Sequence, residues 1–308
     1  MSAANHIQTL LDEALERGRI AASEGEVAHY IPELAKSEPT HVGIAIATVG
    51  GDRYQVGDAE VPFTFQSVSK VFSLARVLRE RGPAVLDEMS CEPSGDAFHS
   101  IVRLEEERGR PRNPYINAGA ILVSGLLPGS DPVERVAGLQ SLLAELCDGA
   151  RFGLDHDVFR SEVATGYRNR ALANYLRHFG RLDDPEQAVE TYFRQCSITL
   201  DAVRLARMGL FLANGGIDPV SGCQVLERSD NRAVVSQMAM CGLYDDVGRF
   251  AMDVGLPAKS GVSGAILAVV PERMSIAAFG PALGAKGNST AALASLTYLS
   301  EQLDLSLY

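Results

Sequence analysis

Lysine is nearly missing from this 308-residue chain: Lys36, Lys70, Lys259 and Lys286 are the only four, and arginine supplies most of the positive charge. The formal net charge of −11 excludes a protein whose main work is neutralising phosphates on nucleic acid or anionic lipid, so no nucleic-acid and no membrane partner is expected. A small-molecule substrate fits better. The five cysteines, Cys91, Cys147, Cys196, Cys223 and Cys241, are scattered and lack CxxC spacing. Neither a disulfide framework nor a zinc site is indicated, and a reducing cytoplasm is the expected location. Long apolar runs are also absent. Ala118–Leu127 and Ala265–Val270 fall well short of the ~20 residues a membrane-spanning helix needs. The opening "MSAANHIQTLLDEALERGRI" places acids among its leucines where an export leader needs a continuous apolar stretch.

Several catalytic signals are missing too. No GxSxG elbow, GxxxxGK[ST] loop, GxGxxG turn or HExxH pair occurs. Of the six histidines, only His156 sits between acids, in Asp155-His156-Asp157. A lone histidine on such a loop is more simply solvated surface than a ligand set, so neither a metal nor a cofactor is expected. Glu105–Arg112, "EEERGRPR", reads as a solvated loop.

What is present has an order along the chain. Ile7, Leu10, Leu11, Ala14 and Leu15 recur at helical spacing, and "HVGIAIATVGGDRYQVGD" then reads as a β-hairpin around Gly50-Gly51-Asp52. From about 63 to 244 the pattern is helical, with stripes at Val71, Leu74, Ala75, Leu78, at Leu139, Leu142, Leu143, Leu146, and at Val203, Leu205, Met208, Leu212. The β pattern returns in "GRFAMDVGLPAKSGVSGAILAVVPERMSIAAFG", and "GNSTAALASLTYLSEQL" closes as a helix. The expected architecture is α+β, a single domain over 1–308. A sheet lobe from about 1–62 and 245–308 would carry an inserted all-helical lobe at about 63–244, with a site in the cleft between them.

In "FQSVSK", Ser67 stands three residues before Lys70. Among four lysines this spacing arises by accident in roughly one such chain in four, so alone it is weak. Singly, Ser67 also reads as a helix cap. It gains weight from Asn117 in Tyr115-Ile116-Asn117 and from Lys259-Ser260-Gly261 near the C-terminus. The order S-x-x-K, x-Asn, K-[ST]-G resembles that of serine β-lactamases and penicillin-binding proteins. A serine in the first turn of a helix has a free N–H for a developing oxyanion, and Val262, after the K-S-G, would aim a second N–H at the same oxygen. Lys70 takes the hydroxyl proton if burial lowers its pKa.

Nearly the whole chain resembles a narrower family of that β-lactamase/transpeptidase-like fold, the serine-dependent glutaminases. The stretches that carry the resemblance are "YIPELAK" (30–36), "FQSVSKVFSL" (65–74), "EPSGDAFHS" (92–100), "NPYINAGAI" (113–121), "SEVATGYRNRALANYL" (161–176), "TYFRQCSI" (191–198), "LANGG" (212–216), "MCGLYD" (240–245) and "LPAKSGVSG" (256–264). It implies an antiparallel sheet built from N- and C-terminal segments and flanked by helices. It also implies catalytic Ser67, Lys70 and Tyr244, with Lys70 and Tyr244 sharing the acid/base role. Tyr30, Gln66, Ser67, Asn117, Glu162, Asn169, Tyr192, Tyr244 and the backbone at Val262 are the implied substrate contacts. The implied reaction is hydrolysis of L-glutamine to L-glutamate and ammonia, in a homotetramer or homodimer. The competing readings are a β-lactam- or D-Ala-peptide-acting enzyme of the same fold, and a non-catalytic amino-acid sensor. Two hydroxyls stand close to the motif without belonging to it: Tyr115 beside Asn117, and Ser69, which a helix would turn away from Ser67.

Overall fold

The structure is a computed structural model that describes residues 3–93 and 100–308. Residues 94–99 of the stretch "EPSGDAFHS", His99 among them, lie outside the described residues. Among the described residues seven strands are formed: β1 (Gly43–Thr48), β2 (Arg53–Gly57), β3 (Phe63–Thr64), β4 (Thr199–Leu200), β5 (Ala258–Ser260), β6 (Ala265–Val270) and β7 (Met274–Phe279). Five make one antiparallel sheet in the order β2-β1-β7-β6-β5. Segments from the two ends of the chain therefore meet, with Ile44 opposite Ala278 and Lys259 opposite Leu267.

Both faces of the sheet are covered, which is why its central strands are apolar at nearly every position, Ser275 and Thr48 being the polar ones. Ile44, Ile46, Ile266, Ala268 and Ile276 point to one core, with Leu11, Ala14 and Leu296 from the helices Ala3–Ala22 and Thr290–Gln302. Ala45, Ala47, Leu267 and Ala277 point to the other, with Leu205, Met208 and Leu212 from the helix Ala202–Ala213. Burying a Leu or Ile side chain contributes about 1.5–3 kcal/mol before the entropy of ordering it is subtracted. That helix lies close on the sheet: a Cβ on Gly209 would stand 2.8 Å from Leu267 Cδ1 and from Ser275 Oγ. The third helical stripe thus belongs to the sheet's packing and not to a separate helical core.

The hairpin turns at Gly51, φ +100°, while the Thr48 N–H donates to Asp52 O at 2.9 Å. Three details depart from the sequence reading. Val247–Asp253 is a helix where a β pattern was expected, because Phe250 and Val254 reach the core one turn apart while Arg249 pairs with Asp253 on the outside. Within Glu105–Arg112, the helix Val102–Glu106 takes the first two residues, and Arg112 pairs with Glu107 at 2.8 Å. Finally, β3 and β4 pair with each other inside the helical stretch. Among the described residues no helix is long and apolar enough to cross a membrane.

Candidate active site

The short β3–β4 pairing delivers the chain to Phe65, whose N–H donates to Ile198 O at 2.8 Å. The next residue, Gln66, takes a left-handed φ of +45°, a conformation that costs a non-glycine residue of order 1–3 kcal/mol. A 3-10 turn, Gln66–Val68, follows, and the α-helix proper begins at Ser69. Ser67 therefore sits just ahead of the helix rather than in its first turn. Its N–H has no protein acceptor among the described residues, and neither does that of Val262. Gly261 brings the two together: a Cβ there would lie 3.2 Å from Val68 Cγ2 and 3.3 Å from Phe65 O. The glycine of K-S-G is thus a close approach of strand backbone to the Ser67 turn.

One helical turn on, Lys70 is 1% exposed. Its Nζ donates to Tyr115 O at 3.0 Å and to Asn117 Oδ1 at 2.8 Å. Burial lowers its pKa to about 7, with nearby Glu162 acting the other way. A neutral amine has two N–H bonds and one lone pair, so these two acceptors leave the lone pair for a third partner. Asn117 opens the helix Asn117–Leu126. It also receives the Tyr192 hydroxyl at 3.3 Å and donates through Nδ2 to Asn169 Oδ1 at 2.9 Å. The turn before it is shaped by Asn113 Oδ1, which accepts the N–H groups of Tyr115 and Ile116, both at 3.0 Å.

Glu162 comes from the helix His156–Thr165. Asp155 of the Asp-His-Asp stretch caps that helix, accepting the N–H groups of Val158 and Asp157 at 2.9 and 3.0 Å. Burial pushes the Glu162 carboxyl up to about 7, against a hydrogen bond from Gln66 and the Lys70 charge. Glu162, Asn117, Asn169, Tyr30, Ile31 and Arg168 line one cavity of about 400 Å³. Tyr30, 56% exposed, also lines a second cavity of about 590 Å³, together with Tyr244 and Val262.

Tyr244 has a left-handed φ of +54°, the second strained residue at the site. Desolvation raises its hydroxyl pKa, while a hydrogen bond with Ser67 opposes the rise. Beneath its ring lies Lys259, fully buried, with Nζ 4.1 Å from the ring centroid. That amine donates to Gly242 O at 2.8 Å and to Ser260 O at 2.6 Å, and burial holds its pKa well below the ordinary lysine value, the Lys70 charge adding to the shift.

The structure brings Lys70, Asn117, Asn169 and Tyr192 into one hydrogen-bond network, places Glu162, Asn117, Asn169 and Tyr30 on one cavity and Tyr30, Tyr244 and Val262 on the other, and links Ser67 to Tyr244 and Gln66 to Glu162. Tyr192 lies behind Asn117 instead of on the cavity wall. Lys259, Arg168 and Cys196 are additions. The lysine of K-S-G was the signal for the first. Arg168, in "GYRNR", had none beyond its neighbour Asn169, and Cys196 is a buried thiol between Tyr192 and Ser69 whose pKa burial raises. The two hydroxyls set aside face elsewhere: Tyr115 donates to Val234 O at 3.2 Å, and Ser69 to Gln66 O at 2.6 Å.

With this geometry in place, comparison with known proteins gives the following. The family model described as Glutaminase matches residues 25–308. A glutaminase of Rhizobium meliloti (strain 1021) is 46% identical over 304 residues, covering 98% of this chain and 96% of its own. A Clostridium botulinum (strain Loch Maree / Type A3) glutaminase is 43% identical over 302 residues, covering 97% and 99%. Among solved structures, a Bacillus subtilis glutaminase in covalent complex with 5-oxo-L-norleucine, formed by reaction with 6-diazo-5-oxo-L-norleucine, superposes with a TM-score of 0.89. It is 35% identical and covers 98% of this chain and 99% of that one.

Proposed function

This chain belongs to the glutaminase family, and we propose that it hydrolyses the side-chain amide of L-glutamine to L-glutamate and ammonia through an acyl-enzyme on Ser67. The observation that carries the reading is the Lys70 amine, buried to a pKa of about 7 with both N–H bonds spoken for by Tyr115 O and Asn117 Oδ1. Its lone pair is then the base for the Ser67 hydroxyl one turn away. The Ser67 oxygen attacks the amide carbon, and the developing oxyanion takes the N–H groups of Ser67 and Val262, each worth about 10²–10³ in rate. Protonation by the Lys70–Tyr244 pair releases ammonia. Water, deprotonated by the same pair, cleaves the ester to glutamate.

The 400 Å³ cavity takes the amino-acid end. Glu162 receives the α-ammonium, which restores its carboxylate form, and Arg168 and Asn169 receive the α-carboxylate. Tyr192 orients Asn117 from behind, Gln66 orients Glu162, and Tyr30 closes the mouth. The span from Glu162 to Ser67 sets the chain length, so asparagine, one methylene shorter, falls short of the nucleophile. A cytoplasmic homotetramer or homodimer is part of the same proposal. Light scattering on purified protein tests the assembly, and a monomer at micromolar concentration removes it.

The decisive experiment is ammonia release from glutamine and asparagine by the wild type and by Ser67→Ala. Glutamine turnover far above asparagine turnover, lost in Ser67→Ala with an unchanged circular dichroism spectrum, is the expected result. Undiminished release by the variant removes Ser67 from the mechanism.

A further inference from the structure

Ser69, the extra hydroxyl inside the S-x-x-K motif, turns away from Ser67, yet its Oγ donates to Gln66 O at 2.6 Å. Gln66 O and the Ser67 N–H belong to one peptide group. That group is planar and trans, with its C=O and N–H pointing in opposite directions, so whatever fixes the carbonyl fixes the N–H. We propose that Ser69 and Gln195 are positioning residues, which together aim the Ser67 N–H at the oxyanion. The proposal rests on the acyl-enzyme reading above.

This peptide is one that needs holding. Gln66 lies in the left-handed region, φ +45°, where a non-glycine residue persists only if its surroundings over-determine it. Its side chain is engaged elsewhere, with Thr64 Oγ1 at 3.4 Å and with Glu162. The carbonyl is held from the Ser69 side, accepting both the Ser69 N–H and the Ser69 hydroxyl.

A hydroxyl by itself rotates, and Gln195 stops this one. Gln195 comes from the helix Pro185–Cys196 and is fully buried, and its Nε2 donates to Ser69 Oγ at 3.3 Å and to Ser73 Oγ at 3.5 Å. With its oxygen accepting from the amide, the Ser69 hydroxyl keeps its proton for Gln66 O. Ser73 repeats the arrangement one turn on and donates to Lys70 O at 3.2 Å. The amide is fixed from its other end, where Oε1 accepts from Ser124 Oγ at 3.2 Å. Ser69, Ser73, Ser124 and Gln195 are all fully buried, so water does not compete for these bonds. Hydrogen bonds in series also polarise one another. The run from the Gln195 amide through the Ser69 hydroxyl to the Gln66 carbonyl therefore strengthens the Ser67 N–H as a donor as well as aiming it.

The test measures ammonia release from L-glutamine and the melting temperature for the full-length wild type, Ser69→Ala, Ser73→Ala and the double variant Ser69→Ala, Gln195→Met. Ser69 and Ser73 are equally buried and share the Gln195 amide, so a merely structural role predicts like effects from the two serine variants. Ser69→Ala is expected to lose about 10- to 100-fold in kcat, approaching the loss of one oxyanion donor, with KM within about twofold of wild type. The acid limb of its kcat profile should stay at the wild-type pH, because Lys70 keeps both of its acceptors. Ser73→Ala is expected to keep kcat within about twofold, since Lys70 O belongs to a peptide that carries no oxyanion donor. The double variant removes the amide N–H that Ser69→Ala leaves unpaired, so its melting temperature should recover while its kcat stays low. Should Ser69→Ala fail to fold, the double variant carries the comparison with Ser73→Ala. Wild-type kcat without the Ser69 hydroxyl, a loss confined to KM, or an equal loss in Ser73→Ala overturns the inference and leaves the glutaminase reading standing. So does a kcat that recovers together with the melting temperature. A wild type that releases no ammonia overturns both.

Discussion

At the scale of single residues, the site is a set of side chains held away from their ordinary protonation. Glu162 and Lys70 both titrate at about 7, one raised and one lowered, chiefly by burial. The proposed mechanism needs the opposite of what acid supplies: a carboxylate for the substrate's ammonium and an uncharged amine for Ser67. The kcat/KM for glutamine is therefore expected to fall as pH drops below 7, with both a rise in KM and a loss of kcat. Glu162→Gln removes the ammonium's partner, an expected loss of about 10²–10³ in kcat/KM. It also removes the charge that raises the Lys70 pKa, so the acid limb of kcat should move to lower pH. A limb that stays at the wild-type position sinks the coupling of the two groups. The stability sign is also set. A carboxyl whose folded pKa lies above its unfolded one contributes least at high pH. The rise from 4.5 to about 7 corresponds to about 3 kcal/mol lost as pH climbs from the unfolded value to the folded one. At pH 8 the Glu162→Gln protein should therefore melt higher than wild type while working far worse.

At the scale of elements, the site is a junction between the Tyr244 turn and β5. Gly242 O accepts from Lys259 Nζ at 2.8 Å, from the Ser260 N–H at 3.2 Å and from Ser260 Oγ at 3.4 Å. The carbonyl of "CGLYD" thus fixes β5, the strand that leads into Val262. The glycine is there for space: its φ is −72°, but a Cβ would stand 1.7 Å from Ala258 O and 2.5 Å from Met238 O. Gly242→Ala must push β5 away and displace the Val262 N–H. An expected loss of about 10² in kcat follows from one misplaced oxyanion donor. Steady-state kinetics on protein whose circular dichroism matches wild type checks this, and wild-type kcat would show that the junction does not govern the oxyanion site.

Across the whole molecule, the sheet and the helical stretch are joined by an ion network with a buried centre and a half-exposed rim. Arg207, on the helix that covers the sheet, donates to Asp218 at 2.7 and 3.1 Å and to Asp148, after the helix Pro132–Glu145, at 2.9 Å. Asp148 also accepts from Arg53 of β2 at 3.1 Å. The Arg207 and Asp218 side chains are 3% and 1% exposed. Arg207→Ala leaves the Asp218 charge buried without its partner, and about 3–5 kcal/mol of stability should be lost. Chemical denaturation measures it, and the double variant Arg207→Met, Asp218→Leu should recover much of the loss. A single variant as stable as wild type would mean that Asp218 finds other compensation.

The sequence by itself determined the family, the antiparallel sheet from both chain ends, the hairpin at Gly51 and the amphipathic helices. Each rests on local periodicity or on short motifs such as "FQSVSK" and "KSGV". It also offered Ser67, Lys70 and Asn117 through the order S-x-x-K, x-Asn, K-[ST]-G, while Tyr244 and Glu162 came only through the family resemblance. Only the tertiary structure decided that the helix Ala202–Ala213 belongs to the sheet, since an apolar stripe does not say what it packs against. Val247–Asp253 reads as β in the sequence because Phe250 is its one buried residue, with Val254 just past its end, too little to display a period. Lys259 beneath Tyr244, Arg168 at the cavity wall and the pKa of about 7 at Lys70 and Glu162 also escaped the sequence. Burial and charge proximity are sums over neighbours that are distant in the chain, and only folding brings those neighbours together.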